Sequence, residues 1–240
     1  MPKLKLPKKI EENILSFIEK LKDIYQNDLI SAILYGSAAS GEFVDKHSNL
    51  NLLVILTETD LGSLKRASGV VAKFKNITPL FLTEDYIRTS TDIFPIEFLD
   101  MQENYLLFFG KDVLKEISID KKNLRFQCEQ ELKAKLLNLK QLYLRFYKDK
   151  AGLQNLLFKS FTSILHVLRN VLRLEGKQPP YQKREILNAI ENQFKINIAA
   201  WEKILAAKNK DTRLGLVETE TLFAEFLKDL EKIVGIVDRF

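Results

Sequence analysis

Two short apolar segments joined by a polar connection constrain the fold of this chain more than any other part of its sequence. The first, Leu29–Tyr35, is followed by Gly36 and Ser37, and the second, Leu50–Leu56, begins just after Asn49. Each segment has the length of a buried strand. A strand that ends at a glycine can turn tightly, and the next helical turn can offer backbone N–H groups and the Ser37 hydroxyl to an anion. The two segments therefore predict a phosphate-sized site where the strands meet.

The second segment carries two amide side chains at alternating positions. Residues two apart on a strand point to the same face, so Asn49 and Asn51 would project together, away from the leucines beside them. Ser48 directly precedes this pair. We therefore expect both amides to face one space, next to the turn at Gly36 and Ser37.

The rest of the first half predicts alternating helices and strands. The patterns are a helix over residues 10–25, a helix over residues 61–74 and a strand over residues 77–82. Thr83 is placed to cap the N-terminus of the helix that follows. Residues 94–99 and 105–109 are candidate edge strands, although Pro95 argues against a central position in a sheet. This half is therefore expected to be mixed α/β.

After about residue 120 the apolar pattern becomes helical. Long stripes run through residues 124–146 and 153–172, and the second stripe stops at Gly176, a residue suited to a left-handed cap. Shorter helical patterns follow. The sequence therefore predicts an α+β protein, with a mixed α/β domain over residues 1–118 and an all-helical bundle domain over residues 119–240.

Composition and charge limit the classes of protein to consider. The chain has 240 residues, of which 46% are hydrophobic and 29% charged, as is typical of a folded protein. No apolar stretch approaches the roughly 20 residues of a membrane span, and no signal peptide is recognisable. Its one cysteine permits no internal disulfide, so we expect a cytoplasmic protein without membrane contact.

The net charge of +5 is compatible with ligands that carry phosphate. Basic residues are interleaved with acidic ones and form no run, so we expect no dedicated nucleic-acid binding. The two histidines, His47 and His166, leave no Cys/His cluster for zinc. We interpret His47 as a solvated loop residue, His166 as structural, and Cys128 as part of the helical core.

Taken together, Gly36-Ser37 and Ser48-Asn49-x-Asn51 resemble the motif of the DNA polymerase β-like nucleotidyltransferases. In that family a strand ends in Gly-Ser, and Asp-hydrophobic-Asp lies on the next strand. The order of elements resembles the small bacterial members with a C-terminal helical bundle, the kanamycin nucleotidyltransferase-like enzymes. The resemblance implies a nucleotidyltransferase-type fold and a binding site for a nucleoside triphosphate formed by Gly36, Ser37, Ser48, Asn49 and Asn51.

The metal ligands that the resemblance implies are not in the sequence. In the family both aspartates bind two magnesium ions, and a third carboxylate on a later strand completes the site. Here Asn49 and Asn51 replace the aspartates, and residues 78–82 contain no acid. A carboxylate about 4 Å from one cationic charge contributes roughly 4 kcal/mol at an effective dielectric constant of about 20, whereas an amide offers only a dipole. We therefore expect two-metal catalysis to be weak or absent.

Three functions are compatible with this pattern. In the first, an impaired or inactive nucleotidyltransferase-fold protein keeps a nucleotide or phosphate pocket and acts through binding or regulation. In the second, an active Mg²⁺-dependent enzyme transfers a nucleoside monophosphate to a small molecule or protein, with Glu42, Asp45 or Glu97 replacing a lost ligand. In the third, the pocket is vestigial and the helical half mediates interactions, including formation of a homo-oligomer.

Overall fold

The computed structural model describes residues 6–40, 49–176, 178–210 and 212–240. The chain divides into two compact units, Met1–Asp120 and Lys121–Phe240. The described part of the first unit is a four-stranded sheet with helices, and that of the second is helical. The predicted α+β fold class, a mixed α/β domain followed by a helical region, is confirmed.

The first unit contains one sheet whose strand order is β3-β2-β1-β4. Its elements are α1 (Lys8–Tyr25), β1 (Leu29–Tyr35), α2 (Ser37–Ser40), β2 (Leu50–Leu56), α3 (Leu61–Val71), β3 (Ile77–Leu82), α4 (Glu84–Ser90), α5 (Pro95–Glu103) and β4 (Tyr105–Gly110). Strand β1 is antiparallel to both β2 and β4, and β2 is parallel to β3. The first helix and the first three strands therefore lie where the sequence predicts them.

The central strands β1 and β2 are buried on both faces because side chains alternate along them and most of their residues are apolar. Leu34 and Leu52 pack on one face with residues of α1 and with Ala67 of α3. Ile33 and Leu53 pack on the other face with residues of α4 and α5. The described part of the unit therefore has three layers, in which helices pack on both faces of the central strands β1 and β2.

Side-chain caps start two of the helices in this unit. The Asp60 carboxylate accepts a hydrogen bond from the backbone N–H of Ser63, at 2.7 Å. The Thr83 hydroxyl accepts one from the backbone N–H of Tyr86, at 3.0 Å. Each cap satisfies an N–H group that has no partner inside its helix. The predicted capping role of Thr83 is confirmed.

The prediction of an edge strand over residues 94–99 is wrong, because these residues begin helix α5. Pro95 is at the start of the helix, where its fixed φ and missing N–H fit the first turn. Ile96 and Phe98 are buried, whereas Glu97 is exposed. A short apolar run cannot be assigned to strand or helix from periodicity alone, and packing against the sheet decided it. The second candidate, residues 105–109, is confirmed as the edge strand β4.

The described part of the second unit consists of five helices around an aromatic core. They are α6 (Lys121–Phe146), α7 (Lys150–Leu174), α8 (Lys183–Phe194), α9 (Ala199–Asn209) and α10 (Leu216–Val237). Gly176 follows α7 with a φ of 73°, in the left-handed region that the sequence predicts. Cys128 is buried in α6, as expected of a core residue. Within the described ranges, no helix is both long and apolar enough to cross a membrane.

Candidate functional site

Gly36 and Asn51 lie side by side where strand β1 ends. Gly36 has a φ of +80°, in the left-handed region that favours glycine. Tyr35, the last residue of β1, is the register partner of Asn51 on β2. A Cβ atom at position 36 would lie 3.3 Å from Nδ2 of Asn51. The structure thus brings together two of the residues that the sequence singles out, and the missing Cβ leaves room for the amide.

The turn after β1 is held by backbone hydrogen bonds. The N–H of Gly36 donates to the carbonyl of Asn104 at 3.3 Å, and the N–H of Ala39 donates to the carbonyl of Gly36 at 2.9 Å. The first bond ties the turn to the residue that precedes β4. The position of Gly36 therefore depends on the segment before β4 and on α2, the short helix that begins at Ser37.

Asn49 lies one residue before β2 and is exposed, whereas Asn51 lies within the strand and is half-buried. Leu50 separates them and is fully buried in the core cluster on the opposite face. Its backbone N–H donates to the carbonyl of Asn76 at 2.8 Å, which fixes the start of the strand. Alternation across Leu50 puts the two amides on the same side of the chain.

Thr78 of strand β3 lies beside Asn51, on the side away from β1. The parallel register pairs Asn51 with Thr78, and paired residues share a face of the sheet. Tyr35 and Tyr105 continue the same row across β1 and β4. We call Thr78, Asn51, Tyr35 and Tyr105 the site row. Sequence reasoning noted that β3 lacks an acid, but it did not identify Thr78, because strand register is not visible in the sequence.

The tyrosines of the site row keep their protons at neutral pH. Burial raises the pKa of the Tyr35 hydroxyl. The Tyr105 hydroxyl donates a hydrogen bond to Oδ2 of Asp112 at 2.9 Å. Burial, this hydrogen bond and the charge of Asp112 together raise the pKa of Tyr105 to about 12. Every member of the site row is therefore uncharged near neutral pH.

Asn49 and the residues of the site row do not fit a divalent cation of the Mg²⁺ type. Magnesium is held in proteins through carboxylate oxygens and loses its waters reluctantly. Asn49, Asn51 and Thr78 offer only neutral amide and hydroxyl oxygens. Among the residues that the structure describes, no three His, Cys, Asp or Glu side chains are grouped as metal ligands.

Several residues singled out from the sequence lie outside the described residues. They are Glu42, Asp45, His47 and Ser48. Of the proposed replacement ligands, only Glu97 is described, as an exposed residue in the first turn of α5.

Helix α7 carries His166, which we interpret as structural from the sequence, and Arg169 three residues later. His166 is exposed on α7, and Arg169 is buried. The Nε of Arg169 donates to the carbonyl of Pro180 at 3.0 Å, and its guanidinium lies 4.1 Å from the ring centroid of Tyr181. Arg169 therefore holds the segment after α7 against that helix.

Comparison with solved structures identifies the type of fold. No family model matches the chain, and no curated protein matches its sequence. The structure resembles that of spectinomycin adenyltransferase AAD(9) from Enterococcus faecialis with ATP and spectinomycin, with a TM-score of 0.52. The match covers 89% of this chain and 99% of that chain at 15% identity. The chain has a nucleotidyltransferase fold. At this identity the likeness shows the nucleotidyltransferase fold alone, and function must be argued from the site.

Burial of Tyr105 and its hydrogen bond to Asp112 make the stability of this unit fall as the pH becomes strongly alkaline. Because the pKa of Tyr105 is near 12 when folded and about 10 when unfolded, its contribution is complete below pH 10 and is lost as the pH rises toward 12. We expect Tyr105→Phe to lose less stability than wild type between pH 10 and 12, measured by urea unfolding. Tyr86→Phe, an exposed tyrosine on α4, is the control. Parallel curves for wild type and Tyr105→Phe would contradict the assignment.

Proposed function

We propose that this chain is a nucleotidyltransferase-fold protein that binds a nucleotide or another phosphate-bearing ligand beside Gly36, Asn49 and Asn51 and does not transfer it. The observation that carries the proposal is the position of the Asn51 amide in the space that a Cβ at Gly36 would crowd, 3.3 Å from that Cβ. A glycine turn suited to the approach of an anion thus lies beside an amide side chain. The protein then acts through binding or regulation.

The geometry of Gly36 supports ligand binding over a vestigial role. A non-glycine residue with a φ near +80° is strained, and its Cβ would press against Nδ2 of Asn51. A glycine at such a position permits the close approach of a ligand to the backbone. Asn51 itself is only half-buried, so part of the residue is exposed to solvent.

Loss of transfer follows from the chemistry of the side chains. Metal-assisted transfer needs cations that polarise the phosphoryl oxygens and generate the nucleophile. When bound in related sites, such cations are held by carboxylates, and the described site row contains none. Asn49, Asn51 and Thr78 can orient a phosphate through hydrogen bonds, but they supply no charge to hold the cations.

Calorimetry with the four ribonucleoside triphosphates, each in EDTA and in Mg²⁺, tests the proposal. We expect at least one to bind, with no release of pyrophosphate.

Gly36→Val should weaken that binding by roughly tenfold or more, because it strains the turn and displaces the Asn51 amide. Gly69→Val is the matched control, since Gly69 is exposed on α3 and a Cβ there meets nothing within 4 Å. Absence of binding in both buffers would refute the proposal.

An active nucleotidyltransferase is the second candidate, and the observation that favours it is the likeness to a spectinomycin adenyltransferase over most of both chains. Labelled ATP with Mg²⁺ or Mn²⁺ tests it, with spectinomycin as the first acceptor. Pyrophosphate release that is lost in Glu42→Gln, Asp45→Asn or Glu97→Gln would favour activity and assign the replacement ligand.

A further inference from the structure

The manner in which the site recognises its ligand follows from the charge of its residues, and the inference rests on the proposed function. We infer that Asn49, Asn51 and Thr78 hold a phosphate group directly, without a divalent cation. Asn51 and Thr78 are register partners on β2 and β3, and Asn49 lies on the same side of the chain two residues before Asn51.

The three side chains provide hydrogen-bond donors where carboxylates would provide only acceptors. Each asparagine amide carries two N–H donors, and the threonine hydroxyl carries one. Ionised carboxylates at these positions would repel a phosphate unless cations lay between them. Amides need no such cation, since their N–H groups bond to phosphate oxygens directly, and bonds to a charged acceptor are stronger than neutral ones.

Asn49 and the residues of the site row are neutral and partly exposed. Thr78 and Asn49 are exposed, and Asn51 is half-buried, so each is at least partly open to solvent. The hydroxyls of Tyr35 and Tyr105 extend the row and keep their protons near neutral pH, as described above. No member of the described row carries a charge near neutral pH, and the Asp112 carboxylate beside the row accepts the hydrogen bond of Tyr105.

This arrangement predicts an effect of Mg²⁺ opposite to that in a metal-dependent site. Mg²⁺ bound to a triphosphate reduces the negative charge of the ligand and occupies oxygens to which the amides would donate. Free ATP should therefore bind more tightly than ATP with Mg²⁺, by roughly tenfold if one or two charge-assisted hydrogen bonds are lost. A site that holds its ligand through cations would show the reverse.

Two measurements on the full chain test the inference. The first is calorimetry with ATP and with inorganic triphosphate, in EDTA and in Mg²⁺. The second is titration with Mn²⁺ alone, followed by electron paramagnetic resonance, which needs no nucleotide. For wild type we expect tighter binding in EDTA and no Mn²⁺ bound at millimolar concentration. We expect Asn51→Ala to weaken binding in EDTA by roughly tenfold.

A charge-restoring variant provides the converse test. Asn49→Asp/Asn51→Asp/Thr78→Glu should bind Mn²⁺ and should bind ATP only with Mg²⁺ or Mn²⁺. The matched control is Gln130→Glu/Asn138→Asp/Gln141→Glu, which adds three acids at exposed positions of α6 and should behave as wild type. Circular dichroism shows whether each variant is folded, and if the triple variant is not, the wild-type comparison still decides.

The outcomes separate the inference from the proposed function. If wild type binds ATP only with Mg²⁺, or binds both ATP and Mn²⁺ alone, the inference is wrong and the proposed function stands. Loss of that metal binding in Glu42→Gln/Asp45→Asn would then assign it to those acids. If neither ATP nor triphosphate binds in EDTA or in Mg²⁺, the inference is overturned, and if the other triphosphates also fail to bind, so is the proposed function.

Discussion

Replacing Gly110 with alanine is expected to destabilise the first unit by about 3 kcal/mol or more, combining left-handed strain with overpacking. Gly110 ends β4 with a φ of +77°, and a Cβ there would lie 1.9 Å from the backbone oxygen of Ile30 and 2.9 Å from its carbonyl carbon. Both atoms belong to the backbone of β1, so no side-chain rotation relieves the clash. Strands β1 and β4 must separate where Gly110 pairs with Ser31.

Hydrogen exchange of peptides from β1 and β4, together with urea unfolding followed by circular dichroism, measures this effect. Gly69→Ala is the matched control. Gly69 lies inside α3 with nothing within 4 Å of an added Cβ, so alanine should stabilise the helix by about 0.5–1 kcal/mol. The same substitution therefore has opposite signs at the two positions. Protection of β1 that is unchanged in Gly110→Ala would show that the strand pairing adapts and would contradict the prediction.

Replacing Phe226 with alanine is expected to cost the second unit about 3–5 kcal/mol. Phe226 is fully buried on α10, and its ring centroid lies 4.4 Å from that of Trp201 and 6.4 Å from that of Phe161. Truncation removes the apolar area of a whole ring and leaves a cavity between the two remaining aromatics. Helices α7, α9 and α10 all contribute to this cluster, so their packing is loosened together.

The fluorescence of Trp201 measures the effect of Phe226→Ala without a label. Trp201 is the one tryptophan of the 240-residue chain and is itself buried in the cluster, so its emission during urea unfolding follows the second unit alone. Leu144→Ala is the control, because Leu144 on α6 is 74% exposed and should change stability by less than about 0.5 kcal/mol. A similar midpoint for both variants would show that the aromatic cluster is not central to the unit.

Most elements of the fold are predictable because their residues carry a clear period. The apolar stripe of residues 10–25 corresponds to α1, and the strands β1 and β2 match their apolar runs. The assignment fails for residues 94–99, because six residues are too few to distinguish the period of a helix from that of a strand. Helix α3 also ends at Val71, before the predicted residue 74, since element ends depend on local capping.

The candidate site is only partly predictable. Asn51 and Gly36 are recognisable because the spacing of the motif places them at the ends of adjacent strands. Thr78 is not, because it meets Asn51 only through the parallel register of β2 and β3. The bond between Tyr105 and Asp112 is equally invisible in sequence, since neither residue belongs to a motif. Formation of a homo-oligomer through the helical unit stays a prediction.

The sequence by itself determined the kinds of most elements, the division into a mixed and a helical half, and the absence of carboxylates at positions 49 and 51. These properties depend on residue identity and spacing along the chain, which burial and alternation translate directly into structure. Tertiary structure alone decided that Thr78 lies beside Asn51 and that Gly36 makes room for its amide. The reason is that register between strands is set by packing on both faces of the sheet, a property of the whole unit.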